Sequence, residues 1–350
     1  MINRIRSSSL ALVIFIHAYI FLYSYVEVDQ VPTAFSIFYG YFFAYFHPAS
    51  LLAAISGYLF FKGYSVKHIK EGTFQRNKYL KRIQSIIVPY LFWVTLFFVV
   101  NNFIIAYFGK QGGHVFANAH QPLTVMHYLK ALISPELAVA KHLWYLNNLL
   151  LVFALTPVFL MVFKRLWLFI AVFLVLVIYY YAAFTTVAAE SDHILKFRFI
   201  IFYFVGGIMG MQKIWLEKLI LHKHLIGWSC VLLTACTFIP GLDTNYGFKY
   251  LLNSITVPVL VFYPVYWVIS KAGEKDFMYS RSEHFLLYIL HPMLLSLIGK
   301  LIQISGLLHQ PPFWAFILLT ICVTALLIIG IKYLYRTLHR FFPWFTQKLL

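Results

Sequence analysis

Residues 311–335 read PPFWAFILLTICVTALLIIGIKYLY, and this stretch shows the pattern that decides the fold. A helix needs about 20 apolar residues to cross the hydrocarbon core of a bilayer, and this run is long enough to do so. Similar runs recur along the chain. In all, 62% of the 350 residues are hydrophobic and 11% are charged, whereas soluble domains carry about a quarter charged residues. We therefore predict an all-α fold, a polytopic bundle of transmembrane helices.

Apolar runs of the required length predict about ten spans. They lie near 8–27, 34–61, 84–108, 142–163, 166–187, 196–212, 219–240, 247–270, 284–303 and 311–335. The first run follows Arg4 and Arg6 as in a signal peptide, but no small-residue cleavage site follows it, so we predict a span. The second run exceeds what a bilayer needs and is expected to tilt or bend near His47-Pro48. No repeat or long linker interrupts the runs, which predicts a single membrane domain over 1–350.

The basic residues predict the orientation of the bundle. The net charge is +17, which in a soluble chain would suggest nucleic acid, but here the Lys and Arg residues cluster in short connections between apolar runs. With the N-terminus inside, 21 of the 28 basic residues fall on the inner side, most densely from Lys62 to Arg82. Cytoplasmic connections of membrane proteins carry such an excess. We therefore predict cytoplasmic N- and C-termini, contact with the lipid bilayer and no nucleic-acid partner.

Polar residues inside the predicted spans are few, and they are the informative ones because they are costly in hydrocarbon. All 11 Asp and Glu lie in connections or near span ends, so we expect no buried carboxylate for sodium or proton coupling. This counts against an ion-coupled transporter. The three cysteines lack metal-ligand spacing, and no metal is expected. The remaining polar groups are mostly the imidazoles of His17, His47 and His291, with His142 at the outer mouth of span 4.

His17 stands eleven positions after Arg6. On one continuous helix that is three turns plus about 20°, so both side chains point the same way, about 16 Å apart along the axis. A cation at the cytoplasmic surface and an imidazole near mid-membrane suit a long ligand with an anionic head and a reactive tail, which is the shape of a coenzyme A thioester. A second interpretation stays open, in which Arg6 is a positive-inside anchor and His17 bonds a neighbouring helix.

A series of short segments resembles the acyltransferase-3 group of membrane acyltransferases. The group has Arg-x10-His at the first span, SGY/F ending span 2, a basic pair and P-Y-x-x-W entering span 3, H-L-W-F/Y-L opening span 4, F-x-x-G-G, and a late Y-x-x-H-P. The matching segments here are Arg6 with His17, Ile55-Ser56-Gly57-Tyr58-Leu59-Phe60, Lys81-Arg82 with Val88-Pro89-Tyr90-Leu91-Phe92-Trp93, His142-Leu143-Trp144-Tyr145-Leu146 with Thr156-Pro157, Phe202 to Gly207, and Tyr288-Ile289-Leu290-His291-Pro292.

Two departures from the group's pattern stand out. Ser7-Ser8-Ser9 replaces an acidic residue that often follows the first arginine, and Ser85 stands where many members carry a second arginine after the position of Arg82. Contacts to phosphate or to the acceptor would then be rearranged in this chain.

The resemblance implies that His17 is the catalytic residue and that an acyl group passes from a cytoplasmic acyl-CoA to a hydroxyl of an envelope sugar or lipid-linked glycan. A neutral imidazole can take the hydroxyl's proton as the thioester is attacked, although an acyl-histidine relay stays open. Arg6, Lys81 and Arg82 would then meet the phosphates of coenzyme A. The alternative for Lys81 and Arg82 is that they only set the membrane topology and face anionic lipid.

Five further residues are candidates for a cavity or an acceptor site. His291 is expected at a depth comparable with His17, unless its imidazole only serves the kink at Pro292. His142, Trp144 and Tyr145 suit either a sugar-binding platform or an interfacial aromatic belt. His47 is the weakest candidate. The pair Ser56-Gly57 is interpreted as a helix-packing site rather than as chemistry.

Taken together, the pattern favours a membrane O-acyltransferase in a bacterial inner (plasma) membrane. Its donor would be acetyl-CoA or another acyl-CoA, and its acceptor a cell-surface polysaccharide or lipid-linked glycan. The alternative from another class is a transporter or flippase of such a glycan without covalent chemistry. A non-catalytic envelope assembly component is a third possibility, which would leave the Arg6 and His17 register accidental.

Overall fold

The computed structural model describes residues 2–24, 48–62, 76–108, 124–133, 143–186, 192–212, 281–307 and 311–348, with 228, 229, 231 and 267 as isolated positions. Within these ranges the regular structure is entirely helical and contains no strand. The helices are α1 (Ile2–Tyr23), α2 (Pro48–Phe61), α3 (Arg76–Phe108), α4 (Val125–Ile133), α5 (Trp144–Ala154), α6 (Thr156–Phe163), α7 (Leu166–Thr186), α8 (Asp192–Met211), α9 (Arg281–Ile304), α10 (Phe313–Phe341) and α11 (Pro343–Lys348).

Several of these helices are suited to a bilayer. In the described part of the chain, four are long and apolar enough to cross it, over Arg6–Tyr23, Ile83–Val100, Ser282–Ile304 and Phe313–Phe341. The bent pair of α5 and α6 makes a fifth if it forms one span. Large apolar side chains of α7 and α10, such as Leu174 and Leu326, are exposed, as lipid contact requires. The chain is therefore an integral membrane protein built of helices.

The count of ten spans and the cytoplasmic termini stay predictions. Three predicted runs coincide with shorter apolar helices, Ala49–Phe61, Leu166–Tyr180 and Arg198–Met211. The predicted spans at 219–240 and 247–270 lie almost wholly outside the described residues, and so does the first part of the run at 34–61, with His47. Pro48 is the first residue of α2, a position that tolerates proline because the first helical N–H groups have no partner within the helix.

Two helical segments differ from the sequence-based expectation. α3 begins at Arg76, so Lys81 and Arg82 stand on a helix and not in the connection where we predicted them. Apolar periodicity marks only the part of a helix that meets lipid, whereas Lys and Arg are good helix formers that extend it into the interface. α4 lies in the connection between the predicted spans at 84–108 and 142–163 and was not predicted, because its nine residues are too few for a span.

The helices fall into two compact units. The first contains α1 up to Val13, together with α2, α6, α7 and α8. Its interior is aromatic: Phe204 lies 4.9 Å from both Phe163 and Phe169, measured between ring centroids, and Phe61 contacts Phe163 edge-on at 5.1 Å. The prediction of a single domain over 1–350 stays a prediction.

Glycine brings α2 and α8 together in this first unit. A Cβ atom at Gly57 would collide with the backbone carbonyl oxygen of Tyr203, and one at Gly206 would collide with that of Ala54. Close approach of two helix backbones is what small residues permit in membrane proteins. The interpretation of Ser56-Gly57 as a packing site thus agrees with the geometry, and Gly206 has the same role.

The second unit contains α1 from Ile14, α3, α4, α5 up to Phe153, α9, α10 and α11. α4 is held by side-chain bonds: the Tyr90 hydroxyl donates to the carbonyl oxygen of Leu132 at 2.7 Å, and the Thr95 and Tyr128 hydroxyls lie 2.7 Å apart. Tyr19 of α1 packs edge-on against Phe316 of α10 at 5.1 Å. This unit positions the histidines described next.

Candidate functional site

His17 and His291 meet inside the second unit. Nδ1 of His17 lies 3.2 Å from Nε2 of His291, and the two ring centroids are 4.9 Å apart with the planes inclined at 46°. His291 is 0% exposed, whereas His17 is half-buried. The helices α1 and α9 therefore bring together two imidazoles that are 274 residues apart in sequence.

A second bond anchors the His291 ring to its own helix. Its Nδ1 lies 3.1 Å from the carbonyl oxygen of Leu287, four residues earlier. Pro292 has no N–H to offer the next carbonyl along, that of Tyr288, so the helix is weakened at this turn. The imidazole thus supports the turn that contains the proline and also contacts His17, and these two roles are compatible.

Aromatic rings continue the site away from the histidine pair. The Tyr288 ring lies 6.1 Å from the His291 ring, Tyr145 lies 5.8 Å from Tyr288, and Trp144 lies 6.2 Å from Tyr145. Trp144 and Tyr145 open α5, and both are half-buried. The rings of Trp144, Tyr145 and Tyr288 form an aromatic wall that also carries phenol hydroxyl and indole N–H groups. Such a surface can stack against the face of a sugar and hydrogen-bond its hydroxyls.

The Asn148 carboxamide adds a polar feature on α5. It is buried, and among the described residues its Nδ2 has no hydrogen-bond partner. Its neighbour Asn147 differs, because Nδ2 of Asn147 donates to the carbonyl oxygen of Ile133 at 2.8 Å. A buried amide donor without a partner is unusual in a native interior and is a candidate contact for a bound molecule.

Arg6 is half-buried on α1. α1 runs without a break from Ile2 to Tyr23, so Arg6, His17 and the ten residues between them belong to one helix. The role of Arg6 stays a prediction. The Ser7-Ser8-Ser9 segment is buried. It stands where members of the acyltransferase-3 group often have an acidic residue.

The other predicted residues are placed less completely. Lys81 is exposed on α3, and Arg82 belongs to the same helix while its side chain lies outside the described set. His47 and His142 also lie outside the described residues. The roles of all four residues stay predictions.

Two charged residues outside the predicted site are buried. Arg198 is 3% exposed on α8, and Glu283 is 7% exposed in the first turn of α9. The expectation that no carboxylate is buried is therefore wrong at Glu283, although that residue does lie near a span end as expected. Both positions carry charge within or beside an apolar run, and this was the available signal.

Among the described residues, no group of three or more His, Cys, Asp and Glu side chains could hold a metal ion. The His17 and His291 pair is instead suited to proton transfer, because a neutral imidazole has one nitrogen that donates and one that accepts. Placed in an apolar bundle, such a pair can take a proton from a bound hydroxyl and return it to a leaving group.

Comparison with known proteins assigns the chain to a family. The acyltransferase domain family, acyltransferase-3, matches residues 2–332, which is nearly the whole chain and includes every helix of the site. No curated protein and no solved structure matches it. With this match and its apolar helices, the chain belongs to the acyltransferase-3 family and is a membrane acyltransferase.

Proposed function

We propose that this acyltransferase moves an acetyl or other acyl group from cytoplasmic acyl-CoA to a hydroxyl of a cell-surface polysaccharide or lipid-linked glycan, with His17 as the general base. The observation that carries the proposal is the contact between His17 and His291, because it places a hydrogen-bonded imidazole half-buried within an apolar span. A base at that place can act only on a substrate that enters the bundle.

The chemical step follows from the functional groups. His17 takes the proton of the acceptor hydroxyl while the oxygen attacks the carbonyl carbon of the thioester. The carbon–sulfur bond then breaks, and the leaving thiolate takes the proton from the imidazolium. The products are an ester and coenzyme A with a free thiol, and His17 is again neutral. A relay through an acyl-histidine would use the same residue as nucleophile.

The donor end of the proposal rests on Arg6. The sequence register predicts the Arg6 guanidinium on the helix face of His17, about 16 Å away along the axis. This would match a donor whose phosphates stay at the membrane surface while its thioester reaches inward. Lys81 is exposed on α3, and we propose that it and Arg82 add positive charge for the same phosphates.

The acceptor end rests on the aromatic wall of Trp144, Tyr145 and Tyr288. Rings at 5.8 to 6.2 Å spacing that lead to the histidine pair would hold a sugar so that one hydroxyl reaches His17.

We propose that the protein works in a bacterial inner membrane with both termini in the cytoplasm. A flippase without covalent chemistry is not proposed, because the family is one of acyltransferases.

The test of this function compares the envelope polysaccharide of cells that have the protein with that of cells that lack it. We expect an ester-linked acyl group to disappear in its absence, while the amount of glycan at the surface stays the same. Cells that express the His17→Ala variant in place of the wild-type chain should also lack the ester. An unchanged ester content, or a glycan that fails to reach the surface, would contradict the proposal.

A further inference from the structure

Two hydrogen bonds of His291 determine which of its nitrogens carries a proton. The carbonyl oxygen of Leu287 can only accept, so His291 Nδ1, at 3.1 Å, is the donor in that bond. His291 is 0% exposed within an apolar helix, where a positive charge is costly. A neutral imidazole has one N–H, and therefore Nε2 of His291 carries a lone pair.

This lone pair sets the state of His17. Nε2 of His291 lies 3.2 Å from Nδ1 of His17, and an acceptor at that distance requires a donor opposite it. His17 Nδ1 is then the protonated nitrogen. In neutral His17 the lone pair is consequently on Nε2, at the other side of the ring.

We infer that His291 is a positioning residue that selects the His17 tautomer and makes Nε2 of His17 the atom that accepts the proton. This inference rests on the proposed role of His17 as base. The order of the bonds is Leu287 carbonyl, His291 Nδ1–H, His291 Nε2, His17 Nδ1–H and His17 Nε2. In both hydrogen bonds the N–H group points toward the Leu287 end of the series.

The same series acts during the reaction. When Nε2 of His17 takes the hydroxyl proton, the Nδ1–H bond to His291 holds the imidazolium in place and disperses its charge. Carboxylates orient the histidine in many hydrolytic sites. A neutral imidazole whose other side is bonded to a backbone carbonyl performs that orientation without placing a second full charge inside the apolar helix bundle.

Three variants of His291 separate positioning from packing. His291→Gln retains an acceptor oxygen near the place of Nε2. His291→Asn can reach only the place of Nδ1, and His291→Leu provides neither group. For acyl transfer by the full-length protein in lipid nanodiscs, we expect kcat to fall by about 100-fold or more in the Asn and Leu variants and by about tenfold or less in the Gln variant. KM for acyl-CoA should stay within about twofold in all three. Equal loss in all three variants, or loss through KM alone, would contradict the inference.

The direct readout is the tautomer itself. Nitrogen-15 labelling of histidine in the full-length protein, with the His17 signals assigned by their absence in His17→Gln, distinguishes a protonated from an unprotonated ring nitrogen. We expect Nδ1 of His17 to be protonated and Nε2 unprotonated in the wild type, and a mixture of tautomers in His291→Leu. A protonated Nε2 in the neutral wild-type ring, or the same single tautomer in His291→Leu, would overturn the inference.

The two proposals fail in different ways. If His17→Ala retained full turnover, the proposed base would be wrong whatever the tautomer. If His17→Ala were inactive and the wild-type tautomer were reversed, the base would stand and the role of His291 would be wrong.

Discussion

Two helix contacts in this protein are built in opposite ways on the same apolar background. Where α2 meets α8, Gly57 and Gly206 remove side chains so that the backbones approach closely. Where α1 meets α9, two bulky polar rings are retained, with 3.2 Å between a nitrogen of His17 and one of His291. The first arrangement leaves no room for a substrate, whereas the second keeps groups that can exchange protons. In the function we propose, close packing and chemistry therefore belong to different helix pairs.

The largest effect on the folded state is expected from Gly206→Val. Its Cβ and methyl groups would meet the backbone of Ala54, which cannot rotate away, so we expect a loss of about 3 kcal/mol or more in unfolding free energy. Thermal unfolding in detergent micelles measures this change. Gly330→Ala is the matched control, because nothing lies within 4 Å of its Cβ position, and it should leave stability unchanged or slightly raised. Equal stability of the two variants would remove the packing role of α2 and α8.

Arg6→Ala should weaken acyl-CoA binding while the fold is retained. A charge-assisted bond to phosphate contributes about 1.5 to 3 kcal/mol, which corresponds to a rise of roughly 10- to 150-fold in Kd. Isothermal titration with acyl-CoA gives the constant. Arg4→Ala is the control, since it removes an equal charge two residues earlier in the sequence. If the two variants bound the donor equally, Arg6 would be an orientation anchor and no part of the donor site.

A smaller effect is expected at the aromatic wall. Tyr145→Leu removes the ring that lies 5.8 Å from Tyr288, and loss of one ring contact should raise KM for the glycan acceptor by about 2- to 12-fold. KM for acyl-CoA should not change. Trp314→Leu, at an exposed aromatic on α10, is the control. A change in donor KM alone would move Tyr145 out of the acceptor site.

The helices of this protein can be predicted from the sequence where they are long and apolar enough to cross a lipid bilayer. Apolar runs predicted α1, α3, α9 and α10 because a span must present hydrocarbon-compatible side chains all along its length. The nine residues of α4 were not predicted because they are too few to span a bilayer. Their place depends on hydrogen bonds with Tyr90 and Thr95 of α3, which no local sequence pattern indicates.

The site was predictable in part, for a related reason. Polar residues in spans are rare, so His17 and His291 could be singled out and expected at similar depths. Their contact, the bond to Leu287 and the ring of Tyr288 depend on which helices become neighbours. The charges of Arg198 and Glu283 within or beside an apolar run are visible in the sequence, whereas their burial depends on neighbouring helices.

The most direct test of the account is acyl transfer by the purified protein in nanodiscs, from labelled acetyl-CoA to envelope glycan lipid. We predict that the wild type forms a labelled ester and that His17→Ala loses at least about 100-fold in turnover, since a general base contributes roughly 10²- to 10⁴-fold. The thermal unfolding midpoint should be unchanged, and His127→Ala, at a histidine on α4, should retain activity. Turnover by His17→Ala within twofold of the wild type would contradict the account.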